Sequence, residues 1–225
     1  MVACQHSVYK MTALKSYHAS DFEQMPKLFR TQFFNSLTGF KSINLVGTVD
    51  KKGQLNLAIF GQVFHLGADP SLMGMIVRPA SVPRNTLENI EETKVFTLNH
   101  IKADFAAQAH QTSARYDKAI SEFNEVGLTP YHTDKLIAPY VKESDIRIGL
   151  KCVEKIPIKS NETILVVGEI LEVMLPEAIV SDDGFIDIHE AGTIAGGGLD
   201  AYFSTNKLQR LSYAKPNKDL TQIPF

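Results

Sequence analysis

The segment VGTVDKKGQLNLAIF, residues 46–60, predicts a β-hairpin. Residues 43–49 are largely apolar and β-branched, and residues 50–53 form a turn in which Gly53 can take a positive φ. The returning strand, residues 54–60, alternates between two faces: Leu55, Leu57 and Ile59 on one, and Asn56, Ala58 and Phe60 on the other. The hairpin therefore indicates a β-sheet built on a packed core.

Further strands are predicted on both sides of an inserted helical region. Apolar, β-branched runs favour strands at residues 72–78, 95–101, 146–158 and 164–175, with a tight turn at 182–184 and a glycine loop at 196–198. The order of these elements predicts an α+β fold, mainly β, with mostly antiparallel strands closed as a barrel.

Helices are predicted at residues 26–37, near 86–92, and through 103–126 with a break at Thr112 and Ser113. Asn85 can cap the second helix, and Gly127 suits the residue after the last one. Ser20 and Glu23 have capping-box spacing, but Pro26 would interrupt a helix begun there, so we expect a turn. Leu28, Phe29, Phe33 and Leu37 fall on one face of the first helix, and Leu87 and Ile90 point inward from the second.

Length and composition suit one domain over residues 1–225, since the chain has 225 residues and is 44% apolar. Residues 1–15 are expected to be a disordered extension. A net charge of −2 gives no basic footprint for nucleic acid, and no apolar run is long enough to cross a bilayer. The N-terminus does not resemble a signal peptide, and Cys4 and Cys152 form no disulfide pattern, so a cytoplasmic location is expected.

Several classes of enzyme are disfavoured by missing motifs. The glycines at 196–198 are not followed by the Lys-Ser/Thr of a P-loop, and no GxGxxG opens a helix after a strand. There is no GxSxG elbow, His189-Glu190 lacks the second histidine of HExxH, and no metal site is predicted.

Three segments together carry a resemblance to a known family: VGTVDKKGQLNLAIF (46–60), MIVRPASVPRNTLENI (75–90) and VFTLNH (95–100). In order and spacing they resemble the flavin reductase-like family, including flavoredoxin-like bacterial members. IAPYVKESDIRIGLKCVEKI, TILVVGEILEV and GLDAYFSTNKLQRLSYAKP extend the match more weakly. The resemblance implies an FMN-binding split β-barrel and a homodimer with the flavin near the subunit interface.

A phosphate clamp can be assigned on chemical grounds. Arg78 and Arg84 offer charge-assisted donors, and Thr86 offers a hydroxyl at a helix start. Each alone could equally be a surface arginine or a capping residue, but they flank one loop.

The end of the returning strand is the expected platform for the flavin ring, as the resemblance implies. The candidates are Asn56, Ala58, Ile59, Phe60 and Gly61, where small residues permit close approach. Tight packing and a strand bend are the alternative explanation for Ala58 and Gly61. Only one of Asn99 and His100 can face the pocket, and Asn99 matches the family's asparagine.

A second cluster lies at the helix break and contains His110, Thr112, Ser113, Ala114 and Tyr116. Unpaired amides and hydroxyls there could hold a phosphate or the ribityl chain, although Ser113 could simply cap the next helix. His110 or Arg115 could supply a positive group near the flavin N1–C2=O edge. Tyr202 is expected to cover the ring from the other subunit, or to be a core aromatic.

The resemblance implies an NAD(P)H-dependent flavin reductase that passes electrons through FMN to free flavin or another acceptor. Hydride transfer to a flavin needs no protein acid or base, so the lack of a recognisable catalytic triad agrees with this class. The alternatives are an FMN-binding electron carrier, a protein similar to pyridoxamine-phosphate oxidase, and a barrel that binds a small ligand without redox chemistry.

Overall fold

The predicted hairpin is the centre of the fold. The computed structural model describes residues 13–79 and 83–225. Strand β1 is Asn44–Val49 and strand β2 is Leu55–Phe60, and they pair antiparallel across a turn in which Gly53 has φ of +86°. All six residues of β1 are buried because strands or loops cover both of its faces.

Seven antiparallel strands form the main sheet, in the order β2-β1-β5-β8-β9-β4-β3. The remaining five are β3 Val63–Ala68, β4 Ser71–Val77, β5 Val95–His100, β8 Arg147–Ile158 and β9 Thr163–Met174. Three two-stranded sheets complete the strands: β6 Pro130–Tyr131 with β7 Tyr140–Val141, β10 Ala195–Gly197 with β11 Ala201–Phe203, and β12 Arg210–Leu211 with β13 Gln222–Ile223. The predicted α+β class with mostly antiparallel strands is confirmed.

The sheet curls around one core without closing by main-chain pairing. Val46 of β1, Val63 of β3 and Phe96 of β5 share a buried apolar cluster, although β2 and β3 are the two edges of the sheet. The barrel is therefore split between these edges and completed by side-chain packing, which agrees with the split barrel that the resemblance implies.

Strand β3 was not predicted. Only Val63 of its six residues is buried, and Phe64 and Leu66 are exposed, so its pattern is not that of a half-buried strand. An edge strand needs to pair on one side only, and β3 gains its order from β4.

The helices agree with the prediction in position but differ at their ends. They are α1 Ala19–Gln24, α2 Lys27–Ser36, α3 Asn85–Thr93, α4 Ala106–Gln111 and α5 Glu122–Val126. The expected turn before Pro26 is instead α1, which ends at Gln24, so the proline bounds it rather than interrupting it. The N-cap of α3 is Arg84, not Asn85, and no side chain caps it. Residues 112–121 are turns, because only α5 of the second predicted stretch has a buried face.

The loop before β7 crosses directly over β1 and β5. The carbonyl oxygen of Pro139 accepts a hydrogen bond from Thr97 Oγ1 at 2.7 Å and lies 2.0 Å from where a Cβ on Gly47 would be. Asn99 Oδ1 accepts from the amide of Val141 at 2.9 Å. The glycine in the VGTV segment is thus required by this crossing.

The sequence also predicted a disordered N-terminal extension and no membrane-spanning segment. Of the predicted N-terminal extension, residues 1–12 lie outside the described residues. Within the described part of the chain, no helix has the length and apolarity needed to span a membrane.

Candidate functional site

A cavity of about 890 Å³ opens beside β2. Thirteen of the fourteen residues predicted to bind the cofactor line it: Asn56, Ala58, Ile59, Phe60, Gly61, Arg78, Arg84, Thr86, His110, Thr112, Ser113, Ala114 and Tyr116. Residues that are distant in sequence therefore meet at one place.

Edge strand β2 offers main-chain donors to the cavity. The amide of Leu57 donates to Glu122 Oε2 at 2.9 Å, so it points away from β1. Because amide directions repeat every two residues along a strand, the amide of Ile59 also points away from β1, on the side of the cavity. Glu122 is buried, and this burial raises the pKa of its carboxyl group.

The cavity has a positively charged surface, the arginine wall, formed by Arg78, Arg84 and Arg115. Burial, followed by the charges of Arg78 and Arg115, holds the pKa of Arg84 below its ordinary value. Among the described residues, no salt bridge neutralises any of the three. The guanidinium of Arg84 is oriented by donation from Nε to Pro79 O at 3.1 Å. Unpaired cations that repel one another favour the binding of an anion.

Polar side chains beneath this wall fix Thr86. Asn56 Nδ2 donates to both Thr86 Oγ1 and Thr48 Oγ1 at 3.1 Å. Glu88 is the acidic residue nearest in sequence to Arg84, and it is paired with Lys118 at 2.5 Å. The arginines therefore do not share that carboxylate, and Asn56 serves as an internal support of Thr86.

The turn at the predicted helix break supplies fewer donors than expected. The amides of Thr112, Ser113 and Ala114 already donate to carbonyls of α4, and Thr112 Oγ1 donates to Ala109 O at 2.8 Å. The prediction that this break offers unpaired amides is wrong for these three residues. The side chains of Ser113 and Arg115 are the groups that still face the cavity without a hydrogen-bond partner in the described chain.

Tyr202 lines the cavity of its own chain. A hydrogen bond of 2.7 Å joins Tyr202 Oη to His110 Nδ1, and the two rings meet edge to face. Burial, and then the charge of Asp200, raises the pKa of the tyrosine. The sequence-based expectation that Tyr202 reaches a neighbouring subunit's flavin is not needed to explain its position.

Asn99 does not belong to the site, which corrects the sequence-based choice. Its side chain is fully buried, donating to Leu45 O at 3.0 Å and to Thr97 Oγ1 at 2.9 Å. His100 also lies outside the cavity lining, and burial lowers its pKa to about 4. The asparagine anchors the crossing loop before β7 rather than a ligand.

Lys41 and the glycine turn of the β10–β11 hairpin complete the cavity and were not predicted as parts of it. Lys41 Nζ donates to Gly198 O at 2.7 Å and, weakly, to Asn35 Oδ1 at 3.4 Å. Burial, followed by the charge of Arg78, lowers the pKa of Lys41. The hairpin is thereby held over the cavity, with Gly198 at its turn adopting φ of +59°. A single lysine before a strand and a glycine run carry no motif, so no sequence signal revealed them.

Comparisons with known proteins agree with this geometry. Residues 39–189 match the family model of the flavin reductase like domain. The chain is 46% identical to a candidate flavin reductase with a split barrel domain from Shewanella frigidimarina, with a TM-score of 0.86, covering 89% of this chain and 100% of that one. Two more distant structures share the fold. Flavoredoxin of Desulfovibrio vulgaris is 24% identical with a TM-score of 0.65 over 80% of this chain and 92% of its own. An FMN-binding protein from Thermus thermophilus is 15% identical with a TM-score of 0.67 over 90% and 100%.

Proposed function

Because this chain belongs to the flavin reductase-like family, we propose that its cavity binds FMN and that the protein is an NAD(P)H-dependent flavin reductase. In this proposal, electrons pass through the bound FMN to free flavin or another acceptor. The observation that carries the proposal is the wall of unneutralised Arg78, Arg84 and Arg115 next to the edge of β2.

The residues present fit FMN in three respects. Arg84, Arg115 and the hydroxyl of Thr86 supply donors for the phosphate of FMN, and Arg78 lies beside them on the cavity wall. The amide of Ile59 supplies a main-chain donor for a polar ring edge, and Ala58 and Gly61 leave room for a flat ring against the strand. A cavity of about 890 Å³ falls within the range of small-molecule sites.

The role of the protein is to position reactants rather than to supply an acid or base. When bound, FMN provides the two-electron chemistry itself. The arginine wall fixes the phosphate end of the cofactor, and β2 orients its ring. Tyr202 and His110 form the opposite side of the cavity, which limits the access of water to the ring. Such positioning lowers the barrier by holding the reacting groups in place.

An absorbance experiment tests the reductase function. Protein purified with added FMN is expected to be yellow after removal of free flavin, and anaerobic NADPH or NADH is expected to bleach it. Protein that stays colourless would contradict the binding of FMN. A yellow protein that neither nucleotide bleaches would instead support the electron-carrier alternative.

We also propose that the protein is a cytoplasmic homodimer. Helices α1 and α2 contain no buried residue, and large apolar side chains along this segment are exposed to solvent. Leu28 is 83% exposed, and Leu37, which directly follows α2, is 63% exposed. Phe29 and Phe40 are exposed on the same segment, which borders the cavity through Asn35. A second copy is the occupant we propose for this apolar surface, since the expected subunit interface lies near the flavin. The free thiol of Cys152 fits a reducing compartment.

Sedimentation is expected to give twice the 25.0 kDa of the chain at micromolar concentration. Phe29→Asp would place a charge in the interface and is expected to give monomers, because an unpaired buried charge is costly. Leu208→Asp is the control, since Leu208 is 89% exposed on the C-terminal segment. A monomeric wild type, or a dimer that Phe29→Asp leaves intact, would contradict this assignment.

A further inference from the structure

Lys41 lies at the opposite end of β2 from Thr86. Its stem passes over Gly61, where an added Cβ would lie 3.5 Å from Lys41 Cδ. Thr86, in contrast, is bound to Asn56 near the start of the same strand. Five residues of extended chain separate Asn56 from Gly61, which corresponds to about 16 Å.

This main-chain separation is several times the width of one phosphate group. The charge of Arg78 lowers the pKa of both Lys41 and Arg84, whereas that of Arg115 lowers the pKa of Arg84 alone of the two. All four cations line the cavity, with Lys41 beside Gly61 and Arg84 at the start of the helix that contains Thr86.

Lys41 is not neutralised by an acidic neighbour. In residues 13–79 and 83–225, no carboxylate forms a salt bridge with it. Its two hydrogen-bond partners, Gly198 O and Asn35 Oδ1, are uncharged, and an ammonium group has three N–H donors. One of its three N–H donors therefore has no partner among the described residues.

We propose that Lys41 and Arg78 form a second anion site, which binds the diphosphate of the nicotinamide dinucleotide while Arg84 and Arg115 hold the phosphate of FMN. This inference rests on the proposed function and names the part of the cosubstrate that this end of the cavity recognises. A diphosphate carries two negative charges, and a lysine is suited to it as a point charge beside an arginine.

The separation of the two ends decides between possible sources of the second anion. The second phosphate of FAD is bonded directly to the first, so it would stay beside Arg84 and Arg115. An anion at Lys41 must therefore belong to another molecule, and the proposed reaction requires one, the dinucleotide. The hairpin turn at Gly198 would then border the cosubstrate.

The test is a calorimetric titration of FMN-loaded protein with ADP-ribose, which has the diphosphate but no nicotinamide and so cannot react. Lys41→Met is expected to weaken ADP-ribose binding by about tenfold or more, because one charge-assisted hydrogen bond to the diphosphate is lost. Its affinity for FMN, measured separately on the apoprotein, is expected to stay within about threefold of wild type, since the FMN phosphate lies beyond the reach of Lys41. Lys41→Arg, which keeps the charge, is expected to retain most of the ADP-ribose affinity.

A matched control separates the charge from the position of the hairpin. Gln32 Nε2 donates to Asp200 Oδ2 at 2.9 Å and ties down the same hairpin without lining the cavity. Gln32→Ala is expected to leave ADP-ribose binding unchanged, and an equal loss in Gln32→Ala and Lys41→Met would overturn the proposal. It would also be overturned if Lys41→Met weakened FMN as much as ADP-ribose, or weakened neither, or if FMN-loaded wild type did not bind ADP-ribose. Failure of the proposed function is distinguished by wild-type apoprotein that does not bind FMN.

Discussion

Replacing both Arg84 and Arg115 with methionine is expected to weaken FMN binding about 100-fold, or roughly 3 kcal/mol, because two charge-assisted contacts to the phosphate are lost. The same change is expected to leave the apoprotein equally stable or slightly more stable. The two guanidinium groups repel each other, and burial disfavours the charge of Arg84. Fluorescence titration with FMN and chemical unfolding of the apoprotein measure the two effects.

The control for this change is Lys159→Met with Lys218→Met, which removes two exposed positive charges outside the cavity lining. This control should bind FMN as the wild type does. An equal loss of affinity in both double variants would mean that the general charge of the protein, rather than the arginine wall, attracts the ligand. Added salt should weaken wild-type binding more than binding to the Arg84/Arg115 variant, because screening acts on the lost charges.

Gly47→Ala is expected to have the largest effect on folding. The added methyl carbon would lie 2.0 Å from Pro139 O and 2.6 Å from Thr97 Oγ1, within the hydrogen bond that anchors the crossing loop. The nearer contact cannot be relieved by rotating a side chain, because Pro139 O is a main-chain atom. We expect a loss of about 3 kcal/mol in the free energy of unfolding, at the upper end of the usual cost of overpacking.

Gly61→Ala is the matched comparison, since its nearest contacts, 3.5 Å and 3.8 Å, are ordinary van der Waals distances. It should change the free energy of unfolding by less than about 1 kcal/mol. Urea unfolding followed by circular dichroism suits this protein, because the chain has no tryptophan for fluorescence. Equal stabilities for the two variants would contradict the close crossing over β1.

The central hairpin could be predicted because its pattern is local. The alternation of Leu55, Leu57 and Ile59 and the turn at Gly53 depend only on neighbours in sequence, and both are present in the structure. Strand β3 could not be predicted in this way. Its structure depends on pairing with β4. Because the apolar side chains of Phe64 and Leu66 are exposed, the sequence of β3 does not show the alternation of buried apolar and exposed polar residues that predicts a strand.

The candidate site was predictable where it depends on the family pattern and unpredictable where it depends on tertiary contacts. Arg78, Arg84 and the end of β2, which the sequence predicted to lie together, line one cavity. Asn99 matches the family pattern, but its side chain binds the loop before β7 by accepting a hydrogen bond from the amide of Val141. No local feature of the sequence predicts that this loop crosses over β5. Lys41 enters the cavity only because the distant β10–β11 hairpin folds over it.

The central claim is that the arginine wall beside β2 is the phosphate site of a bound flavin. The most direct measurement compares the dissociation constants of FMN and riboflavin for the wild-type apoprotein, because the two ligands differ only by the phosphate. We predict that FMN binds about 100-fold more tightly, in line with two charge-assisted phosphate contacts, and that high salt narrows the difference. Equal affinities, or no binding of FMN, would contradict the account.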